Sequence, residues 1–443
     1  MTQASRLTLL LLLGANSAAW SQATGPESSR LATLARAVLQ HDPAAVERFW
    51  GAVWKEGSPI IEKIPGDQSK VLVTFLYRGD STTKNVAIFQ GPRVSTNLAD
   101  NPFTLLAGTN VWYRSYAVRR DARFTYLVGA NVDLSPQDPS DTRELFRRLQ
   151  VFGPDRLNPK RNPTPGDPLP KRLPPFYDHS AVELPGAPPQ PYVARRAGTP
   201  AGTVENLTLT STLLKNERDV AVYTPPGYRP DAGPYDLLIV FDGEWYLTLV
   251  PTPTILDNMI AARKIPPVVA VFVNNPGTSR SAELHCSLPF ADFLTTELVP
   301  WVKQRYAVTD DPARTTLAGS SAGGLASTCA ALAHPERFGN VLSQSGAYWW
   351  RPMTPGEEPE WVTRKVRSSP RLPIRFYMDI GLLEDVSVLD GQTMLSVNHH
   401  LRDALREKGY DVHYAEFNGG HEYLSWQGTL SDGLIALLGA RAK

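Results

Sequence analysis

The chain has 443 residues, with 45 Lys and Arg against 44 Asp and Glu and a formal net charge of +1. This balance gives no electrostatic handle for nucleic acid or an anionic membrane surface. An apolar content of 42% with 20% charged residues excludes a disordered chain, and the length predicts two or three domains.

Arg6, the apolar run Leu9 to Leu13 and the small residues up to Ala23 follow the order of a secretory signal, with cleavage expected after Ala23 (signal, 1–23). The run is too short to span about 30 Å of hydrocarbon. The expectation is an exported chain, periplasmic or secreted, with no stable membrane insertion after signal cleavage. Cys286 and Cys329 are the only cysteines, so no disulfide framework holds the fold, and whether these two pair is open at this point. The sequence has no His/Cys metal-ligand spacing and no Gly-rich phosphate loop after a strand, so neither a metal nor a cofactor is expected.

Helical spacing of Leu31, Leu34, Ala35, Val38 and Leu39 opens a helical stretch over 28–56. Short runs rich in β-branched and aromatic residues follow at 71–77, 85–89, 112–118 and 124–128, separated by turn residues. They predict a small β-sandwich, with its helical lead-in, as an N-terminal domain over 24–150. Thirteen of the 39 prolines then fall between Val151 and Pro200. Proline fixes φ and removes backbone donors, so 151–202 reads as a linker holding neither helix nor central strand. From residue 203 to 443, apolar strands at 236–241, 268–273, 315–318 and 374–378 alternate with helical patterns at 290–306, 323–333 and 397–408. That rhythm predicts an α/β domain with a mostly parallel sheet covered on both faces.

Gly319-Ser-Ser-Ala-Gly323 is a G-x-S-x-G string between an apolar strand and a helix. This is the context of the nucleophile elbow of an α/β-hydrolase, and Ser321 holds its central position. A serine hydroxyl needs a neighbouring base, which in this fold follows the last core strand. His421, in the tight loop after the strand at 413–417, fits. His41 and His179 fall outside the catalytic region, His334 ends a helix, His399 and His400 lie on an amphipathic helix, and His413 alternates within a strand. His285 is the one rival, as a pocket residue. The acid must lie between Ser321 and His421 after the penultimate strand. Glu384 and Asp385 both qualify, and Glu384 is favoured on position. Oxyanion donors are expected from the backbone of Ala322 and from the loop 242–246, through Gly243 and Glu244.

Several segments resemble the enterochelin esterase family, bacterial hydrolases that open ferric trilactone siderophores. They are Ala318 to Leu325, His334-Pro-Glu-Arg-Phe-Gly339, Val341 to Trp350, Asp242-Gly-Glu-Trp-Tyr246, Thr278 to Cys286, Gly420-His421-Glu422 with Trp426, and the Gly381 to Glu384 spacing. Leu106 to Trp112 and Leu157-Asn-Pro159 echo that family's N-terminal domain, so the likeness covers nearly all of the expected mature chain. It implies a small-molecule substrate, a catecholate siderophore ester in its ferric form, hydrolysed by a serine esterase. Arg280 would then donate to an anionic catecholate, and Trp245, Trp349 and Trp350 would stack on its rings. Core packing is the other reading of the Trp349–Trp350 pair, and a structural ion pair with Glu283 or another acid is that of Arg280. The export signal departs from a family that acts largely inside the cell, and the pattern also differs at His285 and Ser287. An exported carbohydrate esterase of feruloyl or acetyl type is the competing activity. A non-catalytic binding protein on the same scaffold is opposed by the complete Ser, acid, His order.

Overall fold

A computed structural model describes residues 27–93, 97–136, 142–163, 178–385, 387–389 and 391–439. The expected signal segment lies outside these residues. The described chain opens with α1 (Ser29–Leu39) and α2 (Ala45–Glu56). The Ser28 side chain accepts from the Leu31 N–H, supplying the acceptor that a helix N-terminus lacks.

Nine strands follow: β1 (Ile60–Ile64), β2 (Asp67–Arg78), β3 (Val86–Gln90), β4 (Thr104–Leu105), β5 (Val111–Arg119), β6 (Arg123–Ala130), β7 (Phe152–Gly153), β8 (Arg161–Asn162) and β9 (His179–Glu183), with α3 (Thr142–Leu149) between β6 and β7. They form two sheets, ordered β1-β2-β5-β4 and β3-β6-β9-β8, with β7 paired to β6. The run Val71–Leu76 is buried at every position because both faces of its sheet are covered. Val71, Val73 and Phe75 join Val86, Ile88, Phe124, Tyr126 and Val182 between the sheets. Leu76 joins Ile60, Val111 and the apolar stripes of α1 and α2 on the outer face. The expected sandwich and helical lead-in are therefore present.

The proline-rich stretch departs from the linker reading. Pro165, Pro168, Pro170, Pro174 and Pro175 lie outside the described residues, but β9 sits between β6 and β8 as an internal strand. His179–Glu183 contains no proline, so its amides remain available to the ladder. An average taken over fifty residues concealed this five-residue run.

The second unit carries β10 (Thr203–Ser211), β11 (Asn216–Thr224), β12 (Asp236–Phe241), β13 (Val268–Val273), β14 (Thr315–Ser320), β15 (Asn340–Gln344), β16 (Arg375–Gly381), the small hairpin β17 (Ser387–Leu389) and β18 (Gln392–Thr393), and β19 (Asp411–Phe417). The helices are α4 (Gly243–Thr248), α5 (Thr252–Ala261), α6 (Arg280–Leu284), α7 (Leu288–Phe293), α8 (Val299–Lys303), α9 (Ala322–Ala333), α10 (Trp361–Ser368), α11 (Met394–Glu407) and α12 (Tyr423–Leu438). The eight-stranded sheet runs β10-β11-β13-β12-β14-β15-β16-β19, parallel from β13 to β19. Side chains sort by strand period. Leu237, Ile239 and Phe241 meet α6 to α11 on one face, and Leu238 and Val240 meet α4, α5 and α12 on the other. This is the expected α/β-hydrolase architecture. Cys286 and Cys329 form a disulfide, Cα atoms 5.2 Å apart, tying the start of the α7 segment to α9.

Candidate active site

Ser321 stands alone between β14 and α9, with φ 57° and ψ −120°. An L-residue adopts such a conformation only at a cost of about 1–3 kcal/mol, met by the surrounding packing. Its N–H donates to the Gln344 carbonyl (2.9 Å), and its own carbonyl accepts from Ala347 (3.0 Å) and Leu325 (3.1 Å). Gly319 is required here, because a Cβ on it would lie 2.8 Å from the Gly323 carbonyl carbon. The turn thus lifts the Ser321 side chain off the end of the sheet, as an elbow must.

His421 lies in the short loop between β19 and α12. Its Nδ1 is 2.7 Å from Glu384 Oε2, and Glu384 is only 1% exposed. Glu384 Oε1 accepts from the Ser345 hydroxyl (2.6 Å) and the Gly381 N–H (3.0 Å). The Ser345 hydroxyl in turn accepts from Trp426 Nε1 (3.0 Å). The Trp426 ring meets the His421 ring edge-on, centroids 4.9 Å apart. Each of these contacts restricts the imidazole, and the carboxylate at Nδ1 leaves Nε2 as the nitrogen able to take a proton from a hydroxyl. Asp385, the other acid considered, is exposed. His285, the rival base, packs against the Trp350 ring at 6.0 Å. Burial, then the Arg280 charge, lowers the His285 pKa.

Ser321 and His421 line one cleft of about 410 Å³ together with Trp245, Arg280, Tyr423 and Trp426. Gln90, Thr125, Asn162 and His179 of the N-terminal domain line it too. His179 therefore belongs to the site, contrary to its place in the sequence reading. The reason is tertiary, since β9 brings it across the cleft, and no local pattern signals that. Tyr423, also unforeseen, stacks on Trp245 with ring centroids 5.6 Å apart and planes within 5°.

Of the expected oxyanion donors, Ala322 begins α9 and Gly243 begins α4. A Cβ on Gly243 would lie 2.7 Å from the Phe272 carbonyl carbon, so only glycine brings that backbone so close. The Glu244 N–H, expected as a donor, is instead engaged by Asn274 Oδ1 at 2.6 Å. That leaves Ala322 and Gly243 as the candidate pair. Arg280 grips Asp242, at the start of this loop, through Nε (2.6 Å) and Nη2 (2.7 Å). Its expected alternative partner, Glu283, is taken by Arg218 (2.9 Å). Trp349 and Trp350 pack against the main core, Trp350 also against Trp361, and are not among the cleft-lining residues. The tight turn after β15 directs them into the domain.

Behind the acid lies Asp379. It is fully buried. Burial above all pushes its carboxyl up to about 8, with the Glu384 and Asp432 charges adding to the shift and the Thr429 side chain and Ser345 N–H acting against it. No group of three or more His, Cys, Asp or Glu among the described residues is arranged to hold a metal.

A covered, mostly parallel sheet with a strained serine at a strand-to-helix turn, facing the same cleft as a carboxylate-bound histidine, defines a carboxylic-ester hydrolase of α/β-hydrolase type. The Esterase family model matches residues 211–437, and the model described as enterochelin esterase, N-terminal, matches 72–193. The iron(III) enterobactin esterase of Dickeya dadantii is 31% identical over 437 residues, covering 90% of this chain and 95% of that one. That of Escherichia coli K12 is 30% identical over 347 residues, covering 75% and 80%. The crystal structure of ferric enterobactin esterase from Salmonella typhimurium superimposes with a TM-score of 0.71 at 26% identity, covering 88% of this chain and 99% of that one. The Shigella flexneri enterobactin esterase, crystallised in the presence of enterobactin, gives 0.68 at 28%, covering 88% and 97%. The chain belongs to the iron(III) enterobactin esterase family.

Proposed function

We propose that this enzyme hydrolyses the ester bonds of a catecholate siderophore trilactone, the ferric complex included, through an acyl-enzyme on Ser321, and so contributes to iron release. Ser321 Oγ attacks the ester carbonyl as its proton passes to His421 Nε2. The oxyanion forms against the Ala322 and Gly243 N–H groups, and Glu384 stabilises the imidazolium. Collapse breaks the ester C–O bond, and the leaving serine oxygen takes the proton from His421. Water then repeats the sequence on the acyl-enzyme, giving a free acid and restoring Ser321.

The observation that carries this reading is the bond from His421 Nδ1 to the buried Glu384 carboxylate, in a cleft that Ser321 also lines. For the substrate, support comes from the relatives' activity and from the cleft itself. Trp245 and Tyr423 offer aromatic surface, and the Arg280 guanidinium, paired with Asp242, lines the same cleft. We also place the enzyme outside the cytoplasm. Supporting this are the N-terminal signal pattern and the Cys286–Cys329 disulfide, a bond that persists in oxidising compartments. No helix among the described residues is long and apolar enough to cross a membrane.

Turnover of iron-loaded and iron-free trilactone, set beside feruloylated xylo-oligosaccharide, tests the substrate. Release of acyl-serine units from the trilactone is the expected result. Cleavage of the glycan ester alone would replace this reading with that of a carbohydrate esterase.

A further inference from the structure

The loop that carries His421, residues 418–422, contains neither helix nor strand. It is fastened from outside its own domain. Glu422 is 6% exposed. Its Oε2 accepts from both the N–H and the hydroxyl of Thr125 on β6, each at 2.5 Å. Its Oε1 accepts from the Gly420 N–H (3.2 Å) and the Ser425 hydroxyl (3.4 Å). Beside it the Arg123 N–H donates to the Asn418 carbonyl (2.8 Å), and Asn418 Nδ2 donates to Asp121 Oδ2 (2.6 Å). A Cβ on Gly419 would lie 2.9 Å from the Arg123 carbonyl oxygen, so loop and strand backbones touch. The acid loop joins the same contact. Leu383, next to Glu384, packs on the sandwich core, and its N–H donates to the Gly419 carbonyl (3.1 Å).

We propose that Glu422 is a positioning residue: by tying the histidine loop to β6, it sets where the His421 ring stands relative to Ser321. The N-terminal domain thereby acts in the hydrolysis of any ester, including one too small to touch it. The inference rests on the Ser321–His421–Glu384 reading above. A carboxylate suits the task because its two oxygens accept from backbone N–H groups on opposite sides, Thr125 and Gly420. A glutamine amide has one acceptor oxygen and would set an N–H donor against the other amide. Burial pushes the Glu422 carboxyl up to about 7, and the Thr125 and Gly420 hydrogen bonds act against that shift. Displacing a reacting group by about 1 Å costs on the order of 100-fold in rate, so a loop without regular structure needs such a fastening.

The test uses the full-length chain and p-nitrophenyl butyrate, with Thr125→Val, Thr125→Ser and Glu422→Gln. Thr125→Val and Glu422→Gln are expected to lower kcat about tenfold or more, with KM changed by less than about twofold. Thr125→Ser keeps the hydroxyl and is expected to restore kcat to within about twofold of wild type. Circular dichroism and thermal unfolding identify which variants fold. Should Thr125→Val not fold, Asn418→Ala removes the neighbouring tie at the rim and is expected to lower kcat in the same direction. A folded Thr125→Val or Glu422→Gln protein with wild-type kcat, or a loss carried by KM alone, overturns the proposal. Ser321→Ala and trilactone assays run alongside separate the failures. An inert trilactone with a persisting kcat effect on the small ester refutes only the substrate reading, whereas a fully active Ser321→Ala protein removes this inference together with the triad.

Discussion

Arg280 holds Asp242 by a bidentate pair, 2.6 and 2.7 Å, at the residue directly before Gly243. Asp242 is itself in the left-handed region, φ 54°, and nearly buried. The guanidinium therefore braces the loop whose Gly243 N–H is a candidate oxyanion donor, while also lining the cleft.

Replacing Arg280 by Gln should release that loop. Losing one oxyanion donor costs about 100- to 1000-fold in kcat, and a loosened donor should cost on the order of tenfold or more on p-nitrophenyl butyrate as well as on the siderophore. A change confined to KM for the ferric substrate would instead make Arg280 a substrate contact only.

The two neighbouring acids should differ sharply. Glu384→Gln keeps the shape but loses the charge facing His421 Nδ1, and kcat should fall by roughly 1000- to 10,000-fold, the scale seen when a triad acid is neutralised. Asp385→Asn, on an exposed residue, should stay within about twofold. Steady-state kinetics of the pair decide it, and the reverse order would move the acid's role to Asp385.

Asp379 predicts a pH dependence of stability. Its carboxyl lies at about 8 in the fold against an ordinary 3.8, so the folded state holds this proton more tightly. Its favourable contribution is complete below about pH 4 and is lost as the pH rises through 8. Asp379→Asn is neutral throughout. The Tm of wild type relative to this variant should therefore fall from pH 5 to about pH 8 and level off above it, and a constant difference would mean that Asp379 is ionised throughout that range.

The disulfide closes a loop between residues 43 apart, Cys286 and Cys329. Cross-links of this kind contribute about 2–4 kcal/mol, chiefly by restricting the unfolded chain. Reduction, or a Cys286→Ser and Cys329→Ser double variant, should lower Tm by several degrees. Thiol alkylation of the unreduced, denatured chain should leave its mass unchanged.

Positions that follow from neighbours in the chain were legible in the sequence. The Ser321 turn follows from two glycines between a strand and a helix, and the His421 loop from its place after the last strand. Position favours Glu384 over Asp385, and burial separates the two in the structure. The N-terminal contribution to the site was not legible. His179, Thr125, Gln90 and Asn162 reach the cleft only because one domain docks on the other, and nothing in their local sequence reports that. The Glu244 amide departs from expectation for the same kind of reason, since its partner Asn274 is thirty residues away. Trp349 and Trp350 look the same in sequence whether they face a pocket or a core.

The central claim is that the Ser321 hydroxyl is the nucleophile and that His421 draws off its proton. Trapping with a fluorophosphonate, followed by peptide mass analysis, reads it directly. The label should fall on the peptide containing Ser321 and be absent from Ser321→Ala. Its rate of attachment should fall about 100-fold or more in His421→Ala, which removes the base. A label on another side chain, or a rate unchanged in His421→Ala, would contradict the account.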